Sequence, residues 1–188
     1  MPFTPQLTAS PVRYARQTAA IALGVALMTL AAKVQIPFWP VPMTLHTMAV
    51  MGFAVLLGPR MATAIFAAYL AAGAAGLPVF SGTPERGIGI AYMVGPTGGY
   101  LLGYLIASTL TGWLAAGRGI IGQMLAMLAG LAVTYTLGAL WLLNFVPADK
   151  VIAAGIAPFL PGDLFKIAIV ALGTSLIAGL FARLKALP

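Results

Sequence analysis

From Gln17 to Ala182 the chain is a succession of long apolar runs separated by connections rich in Pro and Gly. That pattern leaves few folds open, because a helix needs about 20 mostly apolar residues to cross the hydrocarbon of a bilayer. The runs mark six spans: Gln17 to Val34, Thr44 to Leu57, Met61 to Gly76, Gly98 to Ala116, Ile120 to Phe145 and Asp163 to Ala182. The second and third are short for a full crossing, so extended ends or tilt against neighbours must supply the difference. The expected fold is an all-α integral membrane protein, a bundle of six transmembrane helices with long apolar outer loops. It is read as one domain over residues 1–188, with an N-terminal tail of about residues 1–13.

Composition supports this and closes other routes. The chain is 61% hydrophobic and 7% charged, whereas a soluble domain is about a quarter charged. A net charge of +7 could suggest nucleic acid, but the basic residues are scattered at the ends of apolar runs and form no basic face. Nucleic acid is therefore not an expected partner; membrane lipids are. The absence of cysteine excludes disulfides and thiol catalysis. One histidine and three acidic residues are too few for a transition-metal site built from protein ligands. No P-loop, paired-histidine motif, nucleophile elbow or chain of intramembrane carboxylates occurs, which argues against an enzyme and against ATP binding by this chain. Energy for transport would have to come from another subunit.

Arg13 and Arg16 ahead of the first run resemble the front of a signal peptide. The run continues into further membrane-type sequence without a cleavage site in a polar setting, so an uncleaved first span is expected. With both termini cytoplasmic, the inner side receives Arg13, Arg16, Arg60, Arg118, Arg183 and Lys185, and the outer side Lys33, Arg86 and Lys150. This satisfies the positive-inside rule and predicts a multi-pass protein of the cell (inner) membrane. The inner connections are then short. The outer ones, Gln35 to Met43, Leu77 to Thr97 and Val146 to Gly162, are long, apolar and dense in Pro and Gly. Solvated loops are usually polar, so these segments are expected to pack onto the bundle as a lid or re-entrant cover.

The last run holds the chain's most telling pair, Asp163 and Lys166. An ionisable residue within a span is expensive and is by default a candidate functional group. Pro161-Gly162 predicts a break just before the helix, with Asp163 at or near its N-cap and Lys166 in the first turn on the same face. A cation there opposes the helix dipole, so something negative must offset it. Asp163 alone could do so, as a cap and internal ion pair, or Asp163 together with an anionic ligand.

Other polar groups gather in the same outer half: Arg86, His46, Thr44, Tyr92, Thr97 and Tyr100. The Arg86 guanidinium with the Lys166 ammonium would suit a carboxylate, although a local pair with Glu85 or a solvated charge is the plainer reading of Arg86. His46 reads as a hydrogen-bonded interior histidine rather than a metal ligand. Gly99 and Gly103 stand at the spacing that lets helices approach closely. Small residues at four-residue spacing on the first helix, Ala15 with Ala19, Ala20 with Gly24 and Ala22 with Ala26, permit the same, either inside the bundle or against a partner.

Taken in order, several segments resemble the BioY family of biotin-specific S components of energy-coupling-factor (ECF) transporters. They are Pro40-Val41-Pro42-Met43-Thr44-Leu45-His46-Thr47, Leu57-Gly58-Pro59-Arg60, Gly73-Ala74-Ala75-Gly76-Leu77-Pro78-Val79-Phe80, Gly95-Pro96-Thr97-Gly98-Gly99-Tyr100-Leu101-Leu102-Gly103 and Pro161-Gly162-Asp163-Leu164-Phe165-Lys166. Two departures are visible: the family often has Gln where His46 stands, and Thr83-Pro84-Glu85-Arg86 is interposed after Phe80. The resemblance implies a six-helix subunit that captures biotin from outside and works with a transmembrane coupling protein and cytoplasmic ATPases, which alone bind ATP. It places Asp163 and Lys166 in the binding site, and implies that the alanine face of the first helix meets the coupling protein. On chemical grounds Asp163 can accept from the ureido N–H groups, while Lys166, with Arg86, pairs with the valerate carboxylate. Tyr92, Tyr100 and Trp39 are expected as walls for the ring and alkyl chain. A second copy of the chain is a further candidate partner. The competing readings are a stand-alone carrier for a small organic anion and, less favoured, a membrane enzyme.

Overall fold

The computed structural model describes residues 11–37, 39–82 and 87–185. Residues 1–10 of the expected tail, Phe38, the segment 83–86, which includes Arg86, and residues 186–188 lie outside the described residues.

Long helices dominate. α1 runs Pro11–Lys33 and is followed by a two-stranded antiparallel ribbon, β1 Gln35–Ile36 and β2 Met43–Thr44, in which Gln35 pairs with Thr44. α2 spans His46–Ala74, the short α3 Ile90–Met93, α4 Gly98–Ala115 and α5 Ile120–Leu142. A 3-10 turn at Ala148–Lys150 leads into α6, Val151–Gly155, and α7 covers Leu160–Lys185. Among the described residues, four helical stretches are long and apolar enough to cross a membrane: Val12–Lys33, His46–Ala74, Ile120–Leu142 and Ala148–Ile177. Large apolar side chains such as Leu23, Leu30, Trp113, Ile121, Leu125, Leu172 and Leu176 are exposed on the outside of the bundle. So much outward apolar surface suits hydrocarbon rather than water.

The expected second and third spans are the two arms of α2, a helix of 29 residues interrupted at Gly58. Gly58 has φ 78°, a left-handed backbone that a side chain would strain, and Pro59 follows inside the helix without an N–H to donate. Gly112 of α4 fits this break: a Cβ there would lie 2.6 Å from the Pro59 nitrogen. α4 packs most extensively against α5 and then α2. The glycine pair expected to allow close approach does so: a Cβ on Gly103 would meet the Thr134 Cα at 2.7 Å, and one on Gly99 would collide with Trp141 and the Leu137 carbonyl.

Two apolar clusters share the interior. One joins Met51, Tyr100, Ala107, Met127, Leu131, Tyr135, Phe159, Ile167 and Ala171, from α2, α4, α5 and α7 with the segment before α7. The other joins Met28, Ile65, Phe66, Tyr69, Val79, Phe80, Tyr92 and Leu101, from α1, α2, the segment after α2, α3 and α4. Tyr104 packs against both.

Three segments expected as connections are more ordered than a length criterion can foresee. The 35–44 stretch is a ribbon leading back over buried Pro40, Val41 and Pro42. Within the 77–97 stretch, Phe80 is buried, stacks on Tyr92 with centroids 4.9 Å apart, and fills the space beside Gly73 that a side chain would occupy. α3, α6 and the 3-10 turn are each too short to register as apolar runs.

The start of α7 also differs from expectation. Pro161-Gly162 does not break the chain ahead of the helix, because Pro in a first turn lacks only an N–H that the helix does not use there. Helical bonding already includes Asp163, whose N–H donates to the Phe159 carbonyl at 2.9 Å. Asp163 is thus inside the first turn rather than at the N-cap, and Lys166 falls one turn further in.

Candidate functional site

The pocket lies at the end of the bundle where the 35–44 ribbon, the Ser81 segment, the N-terminal ends of α2, α4 and α7, and the α5 residue Tyr135 converge. It is lined by Val41, Pro42, Thr44, His46, Thr47, Ser81, Thr97, Tyr100, Leu101, Tyr104, Tyr135, Phe159, Asp163 and Lys166, around a cavity of about 40 Å³. That is well below the several hundred Å³ of a typical small-solute site, so the lining is closely drawn together. Two other recesses, one beside Lys33, Leu77 and Ile88 and one beside Pro59, Arg60 and Thr63, lack this convergence of polar groups.

Asp163 and Lys166 form the only ion pair among the described residues, Nζ to Oδ1 at 2.8 Å. The i,i+3 spacing stacks both on the inward face of α7. Asp163 is 4% exposed, and its second oxygen, Oδ2, accepts from the Tyr135 hydroxyl at 2.8 Å. Lys166 also donates to the Thr44 carbonyl at 2.6 Å. The carboxylate is therefore held by two donors and keeps lone pairs for more. The ammonium has three N–H groups, of which these bonds use two.

The remaining hydroxyls are mostly committed. Tyr100 donates to the Gly155 carbonyl at 2.8 Å, tying α4 to α6 and presenting its ring to the pocket. Thr47 and Tyr104 bond each other at 2.8 Å. Ser81 and Tyr92 bond each other at 2.7 Å. His46 bonds Thr44 through Nδ1 and Tyr69 through Nε2, both at 2.9 Å.

Of the residues singled out from sequence, Asp163, Lys166, Thr44, His46 and Tyr100 are brought together on the pocket lining. Tyr92 is buried one layer behind, reaching the pocket only through Ser81. Trp39 is 73% exposed and stands apart from the lining, where buried Pro40, Val41 and Pro42 turn inward. Arg86 lies outside the described residues. Ala15, Ala19, Ala22 and Ala26 are exposed, while the opposite face of α1 packs inward through Gly24, Met28, Ala31 and Ala32. Intramolecular packing is thus carried by Gly24, whose absent Cβ would lie 2.6 Å from Ile65. Sequence reading missed Tyr135, Tyr104, Thr47 and Phe159. Tyr135 and Tyr104 were visible as phenols within apolar runs, a signal comparable to that of an isolated charge.

This fold and this pocket define a multi-pass helical membrane protein with a polar-lined recess that carries a buried acid–base pair. The chain belongs to the BioY family, whose pattern matches residues 4–183. It is 39% identical over 160 residues to the biotin transporter BioY of Thermotoga maritima, covering 84% of this chain and 92% of that one. It is 37% identical over 154 residues to a probable biotin transporter BioY of Pyrococcus horikoshii, covering 82% and 91%. The crystal structure of the S-component for biotin from an ECF-type ABC transporter superposes with a TM-score of 0.77 at 25% identity, over 92% of this chain and 95% of that chain.

Proposed function

We propose that this chain is the biotin-binding S component of an ECF transporter, capturing the vitamin at the pocket end for uptake driven by separate ATPase subunits. It is a transport protein and not an enzyme. The observation that carries the reading is that, in a BioY-family chain, Asp163 and Lys166 face a cavity rather than lipid. In this reading Asp163 accepts from the ureido N–H groups, and the uncommitted N–H of Lys166 takes the valerate carboxylate. Tyr100, Val41, Phe159 and Leu101 supply the apolar walls.

The two arms of α2 count as separate spans in this proposal, giving six. Both termini are cytoplasmic, and the pocket opens to the outside of the cell membrane. The outward alanines of α1 are the surface offered to the transmembrane coupling protein. Calorimetric titration with biotin and with its uncharged amide tests the assignment. Biotin should bind, the amide should bind at least tenfold more weakly, as loss of a charge-assisted contact requires, and Asp163→Asn and Lys166→Ala should each weaken biotin. Wild-type affinity in both variants refutes the site. Full uptake by the chain alone, in cells without coupling subunits, would instead favour the stand-alone carrier.

A further inference from the structure

His46 lines the pocket, yet its ring has nothing left to offer a ligand. The Val79 carbonyl can only accept, so the Tyr69 hydroxyl donates to it, at 3.2 Å. The Tyr69 oxygen must then accept from His46 Nε2–H, at 2.9 Å. Nδ1 is left as an acceptor, and the Thr44 hydroxyl supplies its proton, also at 2.9 Å. Thr44 Oγ1 in turn accepts from the His46 backbone N–H at 3.3 Å. Both ring nitrogens are therefore used within the protein. The ring is further held between Tyr69 and Tyr104, with centroids 5.6 Å and 5.9 Å away.

What this wiring fixes is Thr44. Its side chain is fastened to His46 while its carbonyl accepts from Lys166 Nζ at 2.6 Å. We propose that His46 is a positioning residue: it touches no ligand, and through Thr44 it sets where the Lys166 ammonium stands in the pocket. The anchor on the far side is the 79–81 segment. Three side chains clamp that segment at successive residues: Tyr69 on the Val79 carbonyl, Lys33 on the Phe80 carbonyl at 2.7 Å, and Tyr92 on the Ser81 hydroxyl. A lysine on α7 thus takes its pose from a rigid segment on the opposite wall, by way of one imidazole on α2.

The ligand in the test rests on the function proposed above, so two measurements are paired. In the first, biotin and its uncharged amide are titrated against wild type, His46→Ala, His46→Gln and Tyr69→Phe. His46→Ala should lose about tenfold in affinity for biotin, as expected when a hydrogen bond to a charged group is misaligned, and should bind the amide within about twofold of wild type. His46→Gln should restore biotin binding, since its amide can accept from Thr44 and donate to Tyr69. Tyr69→Phe should move in the direction of His46→Ala. The second measurement needs no ligand: Lys166 acylation by an amine-reactive reagent is followed by peptide mass spectrometry. It should quicken in His46→Ala, where the ammonium has lost its place on Thr44, and return to the wild-type rate in His46→Gln. Equal losses for biotin and amide, a Gln variant as poor as the Ala variant, or unchanged labelling would each overturn the proposal. Wild-type protein that binds no biotin would instead overturn the function, leaving the labelling to decide on His46.

Discussion

Lys166 serves two acceptors at once, the Asp163 carboxylate and the Thr44 carbonyl, and the two matter for different reasons. The carboxylate neutralises a charge that hydrocarbon surroundings penalise; the carbonyl aims it. Removing one member of a buried pair leaves the other uncompensated, which costs more than the pair itself contributes. Lys166→Ala should therefore destabilise the protein by about 3 kcal/mol, read as a lowered thermal unfolding midpoint in detergent. The paired change Asp163→Leu with Lys166→Met should recover stability to within about 1 kcal/mol of wild type while abolishing ligand binding. A double variant as unstable as the single one would show that the pair braces the helix start. The pair was legible in the sequence because charge is so scarce here. Its companions were not: Tyr135 reaches Asp163 across 28 positions of chain, and nothing local in α5 announces that contact. Trp39 stands away from the pocket lining for the converse reason. An aromatic flanked by prolines looks like a wall, but which of four neighbouring residues turns inward is decided by the ribbon's path.

At the scale of helices, glycines sort into those that are spacers and those that are not. Gly103 abuts the backbone of Thr134, which cannot swing aside as a side chain can. Gly103→Ala should push α4 from α5 and cost about 1–3 kcal/mol. Gly173 in α7 has nothing within 4 Å of the place its Cβ would take. Gly173→Ala should be neutral or stabilising by up to about 1 kcal/mol, because glycine is the weaker helix former. The comparison is made by thermal unfolding of the two variants side by side, and equal effects would contradict the packing described. The spacing of Gly99 and Gly103 made this interface readable in advance. The union of two apolar runs into α2 was not, since Gly58-Pro59-Arg60 carries all the marks of a turn. Whether such a tripeptide ends a helix or merely interrupts it depends on Gly112 accepting the interruption alongside. α3 escaped notice because its helical character depends on Tyr92 docking onto Ser81 rather than on any periodicity.

For the molecule as a whole, the family's scaffold follows from the apolar runs, whereas the pocket depends on contacts between segments far apart in the chain. Among the described residues, the ionic character buried at that pocket is one acid and one base whose charges cancel. That pair is electrically silent by itself: whichever way the bundle presents it, the transmembrane voltage does no work on it. Occupancy by a carboxylate changes this, since a single uncompensated negative charge travels with the cargo. Carrying it towards a negative interior is uphill by about 2.3 kcal/mol for each 100 mV traversed. In proteoliposomes holding the complete transporter and a fixed ATP supply, biotin delivery should slow as an inside-negative diffusion potential is imposed, and delivery of the uncharged amide should not respond. Voltage would thus act as a brake that only the filled carrier feels.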